Sequence, residues 1–413
     1  MPAIFFVFFV ILLQRANTNL IQSVNPLFVR YVLGKNLFYV GITTAVYAVS
    51  TLLVRYLVSV RIKPESISKF VIIGLLLFSA AILGYFFSAN YAEFLIFVAI
   101  SGFATAIIMP FLLSLVHLFS DKSAIEKNLT IYSLMLSLAL VFGPLLGSAV
   151  LSALAIRWIY IMLCLFALSA FFFAVKIHVH AKSAAAKKLY GAKNEGINAG
   201  KEPKKLKRSP VSSLLKNKGF LEVIFYNTTF SIAFASIVAL GGVFAKDNFH
   251  VKYFEITLLF SLFFVSSLIA RLILLYWTKK GNIKNKTGIL NISIFISVLA
   301  FVLAVFSRNA GFYALSLVIF GIPHALIFPI GTMRISETVA MEDIVAANTI
   351  YQSNFDVGGI IGPFFLSYLG AIYSIRLVFG LIAVFLLAAF IAGRYIIYKN
   401  KNKKKINTGI YFL

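Results

Sequence analysis

Long apolar runs alternate with short polar segments along almost the whole chain, and their spacing predicts membrane-spanning helices. About 20 apolar residues are enough for a helix to cross a bilayer. By this measure the spans lie near 3–29, 37–60, 68–88, 92–117, 127–151, 157–175, 219–245, 254–277, 285–306, 310–333, 345–370 and 375–398. The pattern predicts an all-α integral membrane protein with twelve transmembrane helices, six on each side of one polar segment.

That polar segment, 176–218, is rich in lysine and contains only two acidic residues, Glu195 and Glu202. Its content of Gly, Ala, Ser and Pro and its lack of apolar periodicity favour a solvated tether over a folded domain. The predicted segments are an N-terminal six-helix bundle (1–175), a basic cytoplasmic linker (176–218), a C-terminal six-helix bundle (219–398) and a basic cytoplasmic tail (399–413).

Composition agrees with this prediction, because 61% of the residues are hydrophobic and only 12% are charged, which is too apolar for a soluble surface. The net charge of +25 is not gathered in a soluble domain, so we expect membrane lipids rather than nucleic acid as its partner. Cations cluster in alternate predicted loops and in the tail. By the positive-inside rule both termini are cytoplasmic, and the expected location is the cell membrane.

The two sets of six spans repeat one another. When the second set is moved back by 216 to 219 positions, the matches include Arg271 with Arg55, Gly362 with Gly143, Pro363 with Pro144, and 321–329 with 102–110. Glycines, prolines and an arginine that recur in one order at nearly one offset indicate a duplication. The two bundles are therefore predicted to be pseudo-symmetric.

These features resemble the major facilitator superfamily, whose members have six plus six spans, a long basic central loop and cytoplasmic termini. The span-five sequence LALVFGPLLGS (138–148) resembles the family's G-P-x-x-G antiporter motif through Gly143, Pro144 and Gly147. The loop between spans two and three keeps the basic character of a second family motif, with Lys63 at its acidic position. The resemblance implies a secondary transporter that works by alternating access, and the span-five motif implies antiport.

Three ionisable residues fall near the middle of predicted spans: Arg15 in span one, His324 in span ten and Asp356 in span eleven. A charge at the bilayer centre costs roughly 2.5 to 3.5 kcal/mol even on permissive scales, so such residues face a partner or a water-filled cavity. At helical spacing, Asn19 and Gln22 share a face with Arg15. The resemblance implies that spans one and ten line a central cavity with span eleven beside it, so we expect the three ionisable residues to meet.

Each of these side chains supports a particular role. Arg15 offers a planar fork for a substrate carboxylate, phosphate or carbonyl. Asp356 is a candidate proton carrier or counter-ion of Arg15, and His324, which titrates near neutrality, is a candidate proton relay and substrate ligand. Two alternatives stay open: an Arg15–Asp356 pair that only fixes helix packing, and a His324 that only bonds a neighbouring helix.

Further polar and bend-forming positions complete the candidate set. Tyr226 and Asn227 in span seven are candidate hydrogen-bonding partners of a polar substrate. Glycine–proline pairs bend helices and admit a close neighbour, so they predict a hinge or gate, with packing alone as the alternative. The gating candidates are Gly143, Pro144, Gly147, Gly362, Pro363, Arg55 and Arg271. Glu222, near the inner end of span seven, is expected to meet a loop lysine.

Membrane enzyme classes lack support in the sequence. The 13 acidic residues include no D-D-x-x-D-like cluster, and there is no H-E-x-x-H, G-x-S-x-G or P-loop motif. The single cysteine, Cys164, rules out a multi-cysteine metal site. We therefore expect no enzyme activity, no cofactor and no metal.

The favoured function is secondary active transport of a small organic solute by a monomer, with proton-coupled efflux as the favoured direction. The alternative is uptake of a small polar solute such as an organic anion or a sugar, which Arg15 with Asn19 and Gln22 favours. A membrane enzyme or a scaffold is the less favoured class. The sequence leaves the substrate and the stoichiometry open.

Overall fold

The structure is a computed structural model that describes residues 3–58, 66–120, 124–194, 214–281, 283–340 and 343–407. Helices account for nearly all of these residues, and no strand occurs among them. Parts of three sequence predictions lie outside the described residues, namely Lys63 of the loop motif, 195–213 of the linker and 408–413 of the tail.

Twelve long helices occur in the described part of the chain, one for each predicted span. The first six are α1 (Ala3–Leu27), α2 (Leu37–Val58), α3 (Ile67–Phe87), α4 (Tyr91–Leu118), α5 (Ile125–Ala153) and α6 (Ile159–Asn194). The second six are α7 (Lys218–Phe249), α8 (Tyr253–Lys279), α9 (Lys286–Phe306), α10 (Ala310–Thr338), α11 (Ile344–Ile372) and α12 (Ile375–Asn407).

All twelve helices are long and apolar enough to cross a membrane. Large apolar side chains also cover their outer faces: Phe172 of α6 is 63% exposed and Val384 of α12 is 66% exposed. An apolar outer surface of this extent suits lipid rather than water. The chain is therefore a multi-pass helical membrane protein, which confirms the predicted fold class.

Asparagine side chains fix the starts of equivalent helices. Asn90 accepts a hydrogen bond from the Glu93 backbone N–H at 3.0 Å and begins α4. Asn309 accepts one from the Phe312 backbone N–H at 3.0 Å and begins α10. An asparagine at this position satisfies one of the donors that a helix leaves free at its first turn, so the two halves begin their fourth helix in the same way.

Two helices run past the ends that the apolar pattern predicts. Helix α6 continues through 176–194, which the sequence assigns to the linker, and α12 continues to Asn407. Both extensions are rich in lysine, that of α6 also in alanine, and neither contains proline. Alanine and lysine have high helix propensity. Apolar length thus predicts where a helix leaves the bilayer, whereas local propensity decides where it ends.

The contacts divide the chain into two compact units, Met1–Lys207 with Lys252–Ser261, and Arg208–Val251 with Leu262–Leu413. In the first unit, α1 packs on α5 and α6, and α3 packs on α4 and α6. In the second, α7 packs on α11 and α12, and α9 packs on α10 and α12. The same helix pairs are used twice, as the duplicated sequence predicts. The predicted bounds of bundles, linker and tail stay a prediction.

Matching glycines allow the closest helix approaches in both units. A Cβ on Gly143 of α5 would lie 2.7 Å from the carbonyl oxygen of Ala16 on α1. A Cβ on Gly362 of α11 would lie 2.7 Å from the carbonyl oxygen of Ile232 on α7. A backbone oxygen cannot turn aside as a side chain can, so glycine is needed at both crossings.

A matching arginine in each unit ties the start of one helix to the end of another. Arg157, just before α6, donates to the Phe86 carbonyl of α3 at 2.7 Å. Arg376, at the start of α12, donates to the Val305 carbonyl of α9 at 2.7 Å. Both guanidinium groups also lie near a phenylalanine ring centre, Phe28 at 5.3 Å and Phe244 at 5.6 Å. These arginines satisfy carbonyls that the helix ends leave free.

Candidate functional site

Arg15 lies half-buried in the middle of α1. The groups that act on it electrostatically are the phenols of Tyr47 on α2 and Tyr132 on α5. Among the described residues of this unit, no carboxylate forms an ion pair with Arg15. A guanidinium that no described carboxylate of its unit pairs with has its planar fork available to an anion. Its predicted meeting with His324 and Asp356, which belong to the other unit, stays a prediction.

The two polar residues predicted to act with Arg15 have different surroundings. Gln22 is half-buried and lies seven residues after Arg15, on the same face of α1. Asn19 is buried, and its amide donates to the Leu140 carbonyl of α5 at 3.1 Å. The Asn19 amide thus helps to hold α1 against α5. The substrate-binding roles of both residues stay predictions.

His324 lies half-buried among aromatic rings in the second unit. Its Nδ1 is 2.8 Å from the Ser267 hydroxyl on α8, so it does bond a neighbouring helix. Its ring centre is 4.8 Å from that of Phe234, 5.1 Å from Phe263 and 5.7 Å from Phe264. A hydroxyl can donate or accept, and aromatic faces attract a cation. The site is therefore compatible with a neutral and with a protonated imidazole, while the relay and substrate roles stay predictions.

Asp356 lies half-buried on α11, one turn after Gln352 and two turns after Asn348. The segment around it is tied to α7: the Asn354 amide donates to the Thr228 hydroxyl at 3.0 Å, and the Ser231 hydroxyl donates to the Asn354 carbonyl at 3.1 Å. Asp356 is thus carried by a well-fixed stretch of helix. Its proton-coupling role stays a prediction.

The two span-seven candidates hold helices together. The Tyr226 hydroxyl donates to the Asn291 side chain of α9 at 3.3 Å. The Asn227 amide donates to the Tyr351 carbonyl of α11 at 2.9 Å. Both residues are buried, so the contacts described here are with neighbouring helices, and substrate binding by Tyr226 and Asn227 stays a prediction.

The gating candidates lie within continuous helices or near their ends. Helix α5 runs through Pro144 and α11 runs through Pro363. Gly143 and Gly362 occupy the close crossings described above, and a Cβ on Gly147 would lie 2.7 Å from the Leu20 side chain. The half-buried arginines are Arg55, in the last turn of α2, and Arg271, two turns before the end of α8. A packing role is thus evident for the glycines, and gating by these residues stays a prediction.

A chain of charged side chains joins three helices of the second unit. Glu222 of α7 lies 3.9 Å from Arg334 of α10, and Arg334 lies 3.3 Å from Glu337. Lys286 at the start of α9 lies 2.5 Å from Glu337. Among the described residues, Glu222 thus pairs with Arg334 of a neighbouring helix. The linker lysines of 195–213 lie outside the described residues, so the predicted pairing with a loop lysine stays a prediction. The position of Arg334 along α10 brings it to α7, which span boundaries alone do not reveal.

Sequence reasoning missed the neighbours of Arg15 and His324. The two phenols beside Arg15, Tyr47 and Tyr132, lie on other helices, and so does Ser267 beside His324. Tyrosine and phenylalanine are common in this chain, so their presence carries no signal. The sequence repeat does contain a signal for these neighbours. At the offset of 216, Tyr47, which acts on Arg15, matches Phe263, whose ring lies near His324. Thr51 matches Ser267, which contacts His324.

The described residues contain no group of three or more His, Cys, Asp or Glu side chains placed to hold a metal ion. The chemistry of the two units is instead that of recognition: a guanidinium with phenols in one, and an imidazole with aromatic rings in the other. Twelve helices able to span a membrane, in two repeated units with ionisable groups at mid-span, form an architecture typical of helical membrane transporters.

The chain belongs to the Major Facilitator Superfamily, whose family model matches residues 7–341 and 229–410. The resemblance inferred from the span-five motif is therefore confirmed. No curated protein matches the chain in sequence.

Solved transporter structures share the fold at low sequence identity. The peptide transporter POT in complex with sulfate has a TM-score of 0.78 and 13% identity, with 97% of this chain and 94% of that chain covered. The nucleoside transporter NupG gives 0.73 and 14%, with coverages of 96% and 99%. A bacterial homolog of the human lysosomal transporter Spinster gives 0.70 and 12%, with 96% of each chain covered. At such identities the likeness shows the fold alone.

Proposed function

We propose that this transporter exports a small organic anion across the cell membrane in exchange for protons. The observation that carries the substrate class is Arg15, a mid-span guanidinium on which Tyr47 and Tyr132 act electrostatically. No carboxylate among the described residues of its own unit forms an ion pair with it. An arginine inside a membrane is costly unless an anion or water satisfies it. A substrate carboxylate or phosphate meets both the charge and the planar fork.

The proposed proton carriers are His324 and Asp356. His324 supports this role because its hydrogen bond to Ser267 accommodates either protonation state and aromatic rings surround it. Asp356 supports it because a half-buried carboxylate at mid-span is a functional position by default. The direction of transport rests on Gly143, Pro144 and Gly147, which match the family's antiporter motif.

One observation favours a second candidate, which is uptake of a small polar solute. Gln22 lies on the same face of α1 as Arg15 and is half-buried, so it offers an amide to a hydroxyl or carbonyl of the solute. In this alternative the proton travels with the solute rather than against it.

The proposal also includes topology and partners. Both termini lie in the cytoplasm because the basic loops and tail follow the positive-inside rule. Anionic lipids contact the lysine-rich inner segments, and a monomer is sufficient because both repeated units are present in one chain. The proposed gate consists of the glycine–proline pairs together with Arg55 and Arg271.

The test uses the purified full chain in lipid vesicles with an acidic interior and a pH-sensitive dye. A panel of carboxylates, phosphonates, sugars and cationic drugs is added outside. We expect organic anions to be taken up while protons leave, so that the interior becomes less acidic. Uptake that acidifies the interior supports the second candidate instead, and solute movement with no proton flux contradicts coupling. Arg15→Lys serves as the matched control for anion recognition, since it keeps the charge but loses the fork.

A further inference from the structure

Helix α1 carries two amide side chains that its own unit does not satisfy. Gln14 and Asn17 are both 0% exposed. Neither the nitrogen nor the oxygen of either amide has a hydrogen-bond partner among the described protein groups. Other buried amides of the same helix are bonded, since Asn19 donates to the Leu140 carbonyl and Asn25 accepts from the Tyr160 hydroxyl. The two free amides are therefore a local feature of the centre of α1.

The fold itself does not need polar residues at these places. The offset of 216 that matches Ala16 with Ile232 places Phe230 opposite Gln14 and Ala233 opposite Asn17 in the repeat. Phe230 is 1% exposed and Ala233 is 0% exposed, so the second unit packs the same two positions with apolar groups. A buried amide without a partner is destabilising, because nothing replaces the hydrogen bonds that it made with water. The first unit thus contains two destabilising buried amides at positions where the second unit contains only apolar side chains.

The neighbouring helix has small residues level with these amides. Helices α1 and α6 are antiparallel, because Asn25 contacts Tyr160 and Phe9 contacts Phe173. Between these two contacts, the residues of α6 level with Gln14 and Asn17 include Ala167 and Ala170, both fully buried. The alanine side chain carries no polar atom, so these side chains of α6 cannot bond the two amides, and they occupy little of the interface.

The chemistry of the free atoms selects the ligand. Two amide nitrogens need acceptors and two amide oxygens need donors, so an anion or a cation satisfies only half of them. Water both donates and accepts, and buried water typically makes about three hydrogen bonds to otherwise unsatisfied groups. We propose that Gln14 and Asn17, which flank Arg15 in the sequence, form an internal water-binding site within the first unit.

This site makes the centre of α1 different from its two ends. The ends are fixed by direct contacts, at Asn25 with Tyr160 and at Phe9 with Phe173. At the level of Gln14 and Asn17, exchangeable water replaces direct side-chain bonds. Toward α5 the same part of α1 is held directly, by the Asn19 amide and the close crossing at Ala16, so the water site concerns only the side of the helix that faces α6.

A substitution by leucine tests the site, because leucine is close to asparagine in size and shape but cannot form hydrogen bonds. With bound water, Asn17→Leu breaks hydrogen bonds, so we expect it to melt about 2–4 °C below the unmodified chain. Without bound water the change removes two unsatisfied amide atoms and raises the melting temperature, which overturns the proposal, as an unchanged melting temperature also does. Asn19→Leu, which removes a bonded amide of the same helix, is the control and is expected to lower the melting temperature.

Direct observation provides the second test and does not depend on how any variant folds. In a density map of the unmodified full chain that resolves ordered water, a water molecule is expected within about 2.7–3.2 Å of both amides. A map that shows ordered water elsewhere in the bundle but none at Gln14 and Asn17 refutes the site. Neither test depends on the transported solute, so a failed transport assay and a failed water site remain distinguishable.

Discussion

The first helix of each unit shows how the two halves differ. On α1 the central residues include Gln14, Arg15 and Thr18, whereas the matching residues of α7 are Phe230, Ser231 and Phe234. The helix pairs and the glycine crossings are nevertheless the same in both units. The two units have therefore kept the glycines at their helix crossings, whereas the polar and charged residues at the centre of the first helix have diverged. Both are possible together because the packing of α1 against α5 depends on backbone contact and not on the side chains of other faces.

The largest effect is expected at Arg15, the charged residue that has no charged counterpart on α7. We predict that Arg15→Gln lowers the transport rate of an organic anion about 100-fold, which corresponds to roughly 2.7 kcal/mol, because the charged fork is lost. The measurement is initial uptake into vesicles. Ser231→Ala, the matching change on α7, is the control and should stay within twofold. Equal losses in both variants would show that the two positions have not diverged in function.

The next largest effect is expected at the glycines of the two matching helix crossings. Gly143→Ala and Gly362→Ala each place a Cβ 2.7 Å from a backbone oxygen, so we expect each to lower the stability by about 1–3 kcal/mol through overpacking. Thermal melting of the purified protein measures this loss. Gly380→Ala is the control, because the nearest atom to its Cβ is 4.0 Å away. Unchanged melting in either crossing variant contradicts the repeated crossing.

A smaller effect on transport is expected at His324 in the second unit. We predict that His324→Asn lowers proton-driven transport about tenfold, or roughly 1.4 kcal/mol, because asparagine keeps a hydrogen-bonding group near Ser267 but carries no proton between states. Transport is measured with and without a pH gradient. Ser267→Ala keeps the imidazole and should have the lesser effect. A variant His324→Asn that responds fully to the gradient removes histidine from the coupling proposal.

The smallest effect is expected at the two arginines that join helix ends. Arg157→Lys and Arg376→Lys keep the charge but lose the planar contact with a phenylalanine ring, so each should lower stability by about 0.5–1 kcal/mol. Arg376→Lys should lose more, since Arg376 also donates to the Ser307 carbonyl at 3.1 Å. Melting temperatures measure both changes. A larger loss at Arg157 would reverse the expected order.

The sequence by itself determined the number of spans, the duplication and the family, because apolar length and repeated glycines are local properties of the chain. It also predicted mid-span positions for Arg15, His324 and Asp356. It did not reveal that Glu222 pairs with Arg334, or that α6 and α12 continue beyond their apolar runs. Those features depend on which helices meet and on helix propensity beyond the apolar run.

Only the tertiary structure decided which groups surround each candidate. It placed Tyr47 and Tyr132 beside Arg15, and Ser267 beside His324. It also showed that the amides of Asn19 and Asn227 bond neighbouring helices. Helical periodicity gives the face on which a residue lies but not the register of the helix opposite. Partners that lie on different helices are therefore decided by packing.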